Sequence, residues 1–209
     1  MQDMLPYLSP VRSGGVWIAL ASAGLLCGLL MVNLIRPKFS FWPAEEKWKK
    51  ATALWLFRVF CAATVCVALF DLLLTAPGHW LRYAIGIPVM TISYALTLWG
   101  YRLLGIENTY FGSEGLVTTG LYAYSRNPQY ILSVLATAGM GVAAGSFLTL
   151  FLAAVLFLVY FLFALNEERW LVKGYGAAFL DYMRKAPRFV DERTWRQARS
   201  DLAERAQWL

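Results

Sequence analysis

The sequence is poor in charged residues and in the residue types that most often bind metals. Only 15% of its 209 residues are charged and 59% are hydrophobic, with a mean hydropathy of +0.51, whereas soluble domains carry roughly 25% charged residues. There are three cysteines and one histidine, and no cysteine has metal-ligand spacing with His79. This composition excludes an ordinary soluble domain, and we expect no metal site.

Long apolar runs predict an all-α integral membrane protein with about five transmembrane helices. The predicted spans cover residues 16–35, 51–75, 82–104, 129–144 and 147–165. The last two form a C-terminal helical hairpin that turns at Gly145-Ser146, and Pro77-Gly78 mark a turn before the third span. Arg58 and Asp71 are the only charges well inside a span, and we expect both to reach the membrane interface and to lie outside the active site.

Basic residues concentrate in the loop 36–50 and in the tail from residue 169 onward. Because cytoplasmic loops carry an excess of Lys and Arg, this pattern predicts an N-terminus outside and a C-terminus in the cytoplasm. The net charge of +6 has the same explanation, and no aromatic-basic motif indicates a nucleic-acid partner. We expect a bacterial inner membrane or an equivalent membrane, with lipids as partners.

The chain is expected to divide into three parts. Residues 1–105 would hold a short polar lead and three spans, residues 106–190 a core with the hairpin, and residues 191–209 a tail. In the tail, Trp195, Leu202 and Leu209 recur at helical spacing with arginines between them. This pattern predicts a cytoplasmic amphipathic helix, either on the anionic membrane surface or solvated without membrane contact.

Two polar segments flank the apolar hairpin, the stretch 115–130 (GLVTTGLYAYSRNPQY) and Asn166-Glu167-Glu168. A hairpin that crosses the membrane and returns would bring both segments to the same side. In the first, Asn127-Pro128 favours a turn, and tyrosines with Arg126 could bind a ligand that has an aromatic base, hydroxyls and a carboxylate. The same residues are equally typical of an interfacial anchor.

Glu167 and Glu168 are unusual because acidic residues oppose the positive charge of this side. Adjacent positions on a helix lie about 100° apart, so we expect only one to face a pocket. A carboxylate there could accept a hydrogen bond from a ribose diol or an amine, or lie near a sulfonium. The alternative is a solvated helix end that pairs with Arg169 or Lys173.

Two separated motifs resemble the isoprenylcysteine carboxyl methyltransferase and phospholipid methyltransferase superfamily of membrane enzymes. The first is LVTTG-x-Y-x3-RNP-x-Y at residues 116–130. The second, after the hairpin, is EE-x2-L-x4-G-x2-F-x2-Y-x4-PRF at residues 167–189. The resemblance covers about the second half of the chain, and the first half is similar only in being membrane-spanning.

The resemblance implies a methyltransferase that uses S-adenosylmethionine in a cytoplasm-facing pocket, with the acceptor entering from the lipid. The residues it implies for cofactor binding are Leu116, Val117, Tyr122, Arg126, Asn127, Pro128, Gln129, Tyr130 and Glu167. Phe163 and Glu168 would face the acceptor. No catalytic acid or base is assigned, since methyl displacement depends on alignment.

Two departures from the family pattern bear on chemistry. The family often has His at position 127, and the Asn found here can form hydrogen bonds but cannot act as an acid or base near neutral pH. Phe163 stands where the isoprenylcysteine enzymes are expected to carry an Arg for the acceptor carboxylate. We therefore expect a different nucleophile, such as an amine head group, a thiol or a phenol.

Two other functions remain open. Sterol reductases share a related R-x-P-x-Y signature but use NADPH and have more spans. A non-catalytic membrane scaffold or binding protein would bind neither cofactor.

Overall fold

The fold consists of packed α-helices. The computed structural model describes residues 5–44, 46–74, 80–105 and 115–206, and within these ranges there is no β-strand. The helices are α1 (Leu5–Ile35), α2 (Lys47–Leu74), α3 (Leu81–Leu104), α4 (Pro128–Ala144), α5 (Phe147–Tyr175), α6 (Ala177–Lys185) and α7 (Glu192–Ala206). The expected turn at Pro77-Gly78, His79, the segment 106–114 and Leu209 lie outside the described residues.

Four of these helices are long and apolar enough to cross a membrane, namely α1 from Ser9 onward, α2, α3 and α5. The fifth expected span, α4, has 17 residues, at the short end of the range for a transmembrane helix. Large apolar side chains point outward along several helices, among them Trp17, Trp55, Ile92 and Phe147. The predicted class, an all-α membrane protein with about five apolar helices, is confirmed.

Two helix ends differ from the sequence prediction. Helix α1 begins at Leu5, well before residue 16, because Arg12 forms an ion pair with Asp71 that holds the lead segment against α2. Helix α5 continues ten residues past 165 to Tyr175 and ends at Gly176, whose φ of 52° lies in the left-handed region. Glu167 and Glu168 therefore lie within a helix and do not follow it.

The hairpin turn lies at the predicted residues. Gly145 adopts φ 65° and its N–H closes the end of α4 on the Val142 carbonyl at 3.1 Å. Ser146 caps α5, since its Oγ accepts the Thr149 N–H at 2.9 Å. The same Ser146 hydroxyl donates to Asp71, so Asp71 is buried between Arg12 and the hairpin turn. These two partners satisfy the Asp71 carboxylate within the protein, and its position at the membrane interface stays a prediction.

Helices α3 and α4 pack with their backbones in direct contact. A Cβ atom added to Gly86 would lie 2.4 Å from the Ala143 nitrogen, and one added to Gly139 would lie 2.6 Å from the Met90 nitrogen. Small residues at such crossings let membrane helices approach closely. On the other side of α4, helices α1, α2 and α5 share the main apolar core.

The tail forms the predicted helix, α7, from Glu192 to Ala206. It is tied to the loop before α4, because Thr194 Oγ1 donates to the Tyr124 carbonyl at 2.8 Å. Trp195 and Leu202 are exposed. Contact of these side chains with a membrane stays a prediction, as does the division of the chain at residues 105 and 190.

Candidate functional site

A cavity of about 620 Å³ opens where α2, α4 and α5 meet the loop 115–127. Its volume is in the range of about 300–1,000 Å³ that is typical of small-molecule sites. The sequence-predicted site residues that line it are Leu116, Val117, Tyr122, Arg126, Asn127, Gln129, Tyr130, Phe163, Glu167 and Glu168. Pro128 does not line the cavity; it is the buried first residue of α4, where its missing N–H removes no hydrogen bond.

Glu167 joins the two ends of the hairpin inside this cavity. Its carboxylate accepts a hydrogen bond from the Tyr130 hydroxyl at 2.8 Å and another from Trp42 Nε1 at 2.9 Å. The Tyr130 ring stacks on Tyr160 with centroids 4.2 Å apart. Glu167 is only 9% exposed. The two polar segments thus meet, as the hairpin predicted, around one buried carboxylate.

Trp42 was not among the predicted site residues, and a network of asparagines positions it. Asn33 Nδ2 donates to the Trp42 carbonyl and to Asn166 Oδ1, both at 2.7 Å. Asn33 Oδ1 accepts the Phe41 N–H at 2.8 Å. In the sequence, Trp42 lies in the loop between the first two predicted spans, where an aromatic residue is typical of the membrane interface. Its contact with Glu167 spans 125 positions of the chain, and no local pattern indicates it.

Glu168 forms the centre of a second buried cluster. Arg126 Nη2 donates to its Oε1 at 2.5 Å, while Arg188 donates to both oxygens at 2.8 and 2.6 Å. These hydrogen bonds raise the pKa of Arg188 above its usual value. The expectation that only one glutamate faces the pocket is wrong, because partners approach the two carboxylates from different sides. Neither carboxylate pairs with Arg169 or Lys173 in the described part of the chain.

The RNP motif donates hydrogen bonds to backbone carbonyls in and next to the PRF motif. The Arg126 N–H donates to the Pro187 carbonyl at 2.8 Å, and Asn127 Nδ2 donates to the Arg188 carbonyl at 3.0 Å. Arg126 Nη1 donates to the Ala186 carbonyl at 2.7 Å. Much of the two-part motif therefore has a structural role, which is to fix the loop 115–127 over the cavity.

Tyrosines complete the wall beside this loop. Gln129 Nε2 donates to the Tyr122 hydroxyl, and the Tyr182 hydroxyl donates to the Tyr122 carbonyl at 2.7 Å. Burial raises the pKa of both Tyr122 and Tyr182, so their phenols stay neutral and can act as hydrogen-bond donors. They supply polar contacts without adding charge to the site.

Phe163 lies among aromatic rings at the deeper side of the cavity. Its ring centroid is 5.0 Å from that of Trp42 and 6.0 Å from that of Phe57. The next residue of α2, Arg58, also lines the cavity. The expectation that Arg58 stays outside the site is therefore wrong, because its helix face turns toward α5. The apolar residues of α2 show no helical periodicity, so the sequence does not indicate which face of this helix points toward α5.

The phospholipid methyltransferase family profile matches residues 81–178. The match includes α3, the RNP loop, the hairpin and the two glutamates. No curated protein and no solved structure matches the chain. The match of residues 81–178 confirms the resemblance to this superfamily of membrane methyltransferases.

Proposed function

We propose that the protein is an integral membrane methyltransferase that takes S-adenosylmethionine as methyl donor and a lipid-like or small apolar molecule as acceptor. The observation that carries this proposal is the position of Glu167. It is a buried carboxylate, hydrogen-bonded to Tyr130 and Trp42, at the junction of the two family motifs. Together with the family match of residues 81–178, this favours methyl transfer over the other functions.

The residues of the cavity fit such a donor. The Glu167 carboxylate can accept hydrogen bonds from ribose hydroxyls or from an ammonium group. The stacked rings of Tyr130 and Tyr160 offer a surface for adenine or for a sulfonium cation. Leu116 and Val117 line the cavity beside them and would contribute backbone groups.

Arg126 offers a specific partner for the donor's carboxylate. Its Nη atoms are used by Glu168 and by backbone carbonyls, but its Nε is buried and has no hydrogen-bond partner among the described residues. A buried donor without a partner costs about 1–3 kcal/mol. A ligand carboxylate at this nitrogen would recover that energy. Arg126 then serves the fold and the ligand at once.

When bound, S-adenosylmethionine supplies an electrophilic methyl group on a positively charged sulfur. The chain's own residues hold the reactants in line and exclude water, which suffices for a direct displacement. Trp42 and Phe163 close the cavity with aromatic surface. No residue is assigned as acid or base, and Asn127, whose amide donates to the Arg188 carbonyl, fits a binding role.

The proposed orientation places this end of the helices in the cytoplasm and the N-terminus outside, in a bacterial inner membrane or its equivalent. The lysines of the loop 36–50 and the basic tail support it by the positive-inside rule. In this orientation a water-soluble nucleotide donor reaches the cavity directly.

The test is calorimetric titration of the purified protein in neutral detergent with S-adenosylmethionine, S-adenosylhomocysteine and NADPH. We expect binding of the two adenosyl compounds and none of NADPH. Glu167→Gln keeps the shape but removes the charge, and should weaken binding roughly tenfold or more. Glu192→Gln is the matched control, since Glu192 is exposed in α7 and should leave binding unchanged.

Other outcomes have definite meanings. Binding of NADPH alone would show a reductase, and binding of no nucleotide would show a non-catalytic protein. Equal affinity of wild type and Glu167→Gln would refute the role assigned to this carboxylate.

A further inference from the structure

Arg58 is a cation within the apolar helix α2. Between Lys50 and Asp71 it is the only charged residue of α2. Its side chain is exposed to the cavity that Glu167 lines, and within the described part of the chain it forms no hydrogen bond or ion pair. Ionisable residues inside membrane helices are costly, and those that face a cavity are usually functional.

Neighbouring contacts give the depth of Arg58 in the helix bundle. The adjacent Phe57 packs against Tyr160 and Phe163, with ring centroids 5.5 and 6.0 Å apart. Tyr160 lies two helical turns before Glu167, which is about 10 Å along α5. Arg58 itself is about 16 Å along α2 from the first residue of that helix, Lys47. This distance is about half of the hydrocarbon core, which is roughly 30 Å thick. Arg58 therefore extends the cavity from Glu167 toward the membrane interior.

Arg58 lies close to the place where a cation is missing from α5. Phe163 occupies the position at which an acceptor-binding arginine was expected, and the neighbour of Arg58 touches this same ring. A guanidinium that reaches the cavity from α2 can supply the charge that α5 lacks. Its planar fork matches the oxygens of a phosphate or a carboxylate.

We propose that Arg58 binds the anionic group, a phosphate or a carboxylate, of a lipid acceptor. This assignment rests on the proposed function and sharpens it. A phospholipid with an amine head group, or a lipid-linked carboxylate, satisfies Arg58 while its apolar chains remain among the lipids. A neutral phenol or thiol would leave the cation unpaired. The acceptors expected from Phe163 alone are thereby revised toward lipids that carry a phosphate or a carboxylate group.

The test measures acceptor binding without any donor, by calorimetry in a neutral detergent. Three amphiphiles serve as probes, namely lysophosphatidylethanolamine, N-acetyl-S-farnesylcysteine and the neutral monooleoylglycerol. Arg58→Gln should weaken binding of one of the two probes that carry an anionic group roughly tenfold or more, and should leave binding of monooleoylglycerol unchanged. The probe that loses affinity identifies the group as a phosphate or a carboxylate. Arg58→Lys, which keeps the charge but loses the fork, should give an intermediate affinity.

The matched control is Arg102→Gln, which removes an exposed cation at the end of α3 that does not line the cavity. An equal loss in both variants would show an effect of overall charge and overturn the assignment. Equal affinity of wild type and Arg58→Gln for both probes that carry an anionic group would also overturn it. Arg58→Met serves as a second variant if Arg58→Gln does not fold.

Titration with S-adenosylhomocysteine separates this proposal from the proposed function. Arg58→Gln should weaken binding of the adenosyl compound much less than binding of the lipid probe, since the donor contacts proposed above are made by Glu167, Tyr130 and Arg126. If wild type binds an anionic lipid through Arg58 but binds no adenosyl compound, the lipid site stands and the methyltransferase proposal fails. If Arg58→Gln loses both ligands equally, the residue supports the cavity as a whole and the lipid role is wrong.

Discussion

Replacing Glu168 by Gln should open the loop that covers the cavity. Glu168 is the shared partner of Arg126 and Arg188, and the Glu168 and Arg126 side chains are only 11% and 7% exposed. Removing one partner of a buried ion pair costs about 3–5 kcal/mol, because the remaining charge stays buried without compensation. Gln keeps one acceptor oxygen and Arg126 keeps its two carbonyl contacts, so we expect about 3 kcal/mol.

Hydrogen exchange at the Arg126 amide measures this loss of free energy locally. The amide is bonded to the Pro187 carbonyl at 2.8 Å, so it exchanges only when the RNP and PRF segments separate. A loss of about 3 kcal/mol corresponds to roughly hundredfold faster exchange. The matched control is Glu192→Gln, which breaks the exposed pair with Arg196 and should cost below about 1 kcal/mol. Unchanged Arg126 exchange in Glu168→Gln would refute the view that the two motifs are held together by this carboxylate.

Two further substitutions test the packing and the asparagine network. Gly139→Leu should lower the thermal unfolding temperature, since its Cβ would lie 2.6 Å from the Met90 nitrogen and overpacking costs about 1–3 kcal/mol. Gly24→Leu, where the added atom meets open space, is the control, and equal stability of the two variants would contradict the close helix crossing. Asn33→Ala should speed hydrogen exchange at the Phe41 amide roughly tenfold or more, since it removes the acceptor of that amide at 2.8 Å. Exchange as slow as in wild type would show that another group holds the loop.

The hairpin and its turn could be predicted because local chemistry specifies them. Gly145 supplies the left-handed conformation, Ser146 supplies a cap, and apolar runs on both sides indicate the two helices. Once the hairpin is fixed, Tyr130 and Glu167 must return to the same end. The motif residues of the cavity wall follow from that single element.

The sequence could not indicate how the first half of the chain reaches the site. Trp42 meets Glu167 across 125 positions, and its placement depends on Asn33 and Asn166 meeting from two helices. Arg58 faces the cavity because α2 packs on α5, and an apolar helix has no polar face to indicate that rotation. The positions of Trp42 and Arg58 depend on contacts between distant segments, and the sequence motifs do not include these two residues.

The neighbouring carboxylates of Glu167 and Glu168 have different roles in this site. Glu168 has three short hydrogen bonds to two arginines and little left to offer a ligand. Glu167 has neutral partners only, Tyr130 and Trp42, so its charge is not balanced by any ion pair among the described residues. A cationic or hydroxyl-bearing ligand supplies what this carboxylate lacks. The two isosteric variants should therefore differ in two measurements. Glu167→Gln should lose affinity for the methyl donor while the Arg126 amide stays protected from exchange. Glu168→Gln should expose that amide to exchange and lose affinity for the donor as a consequence.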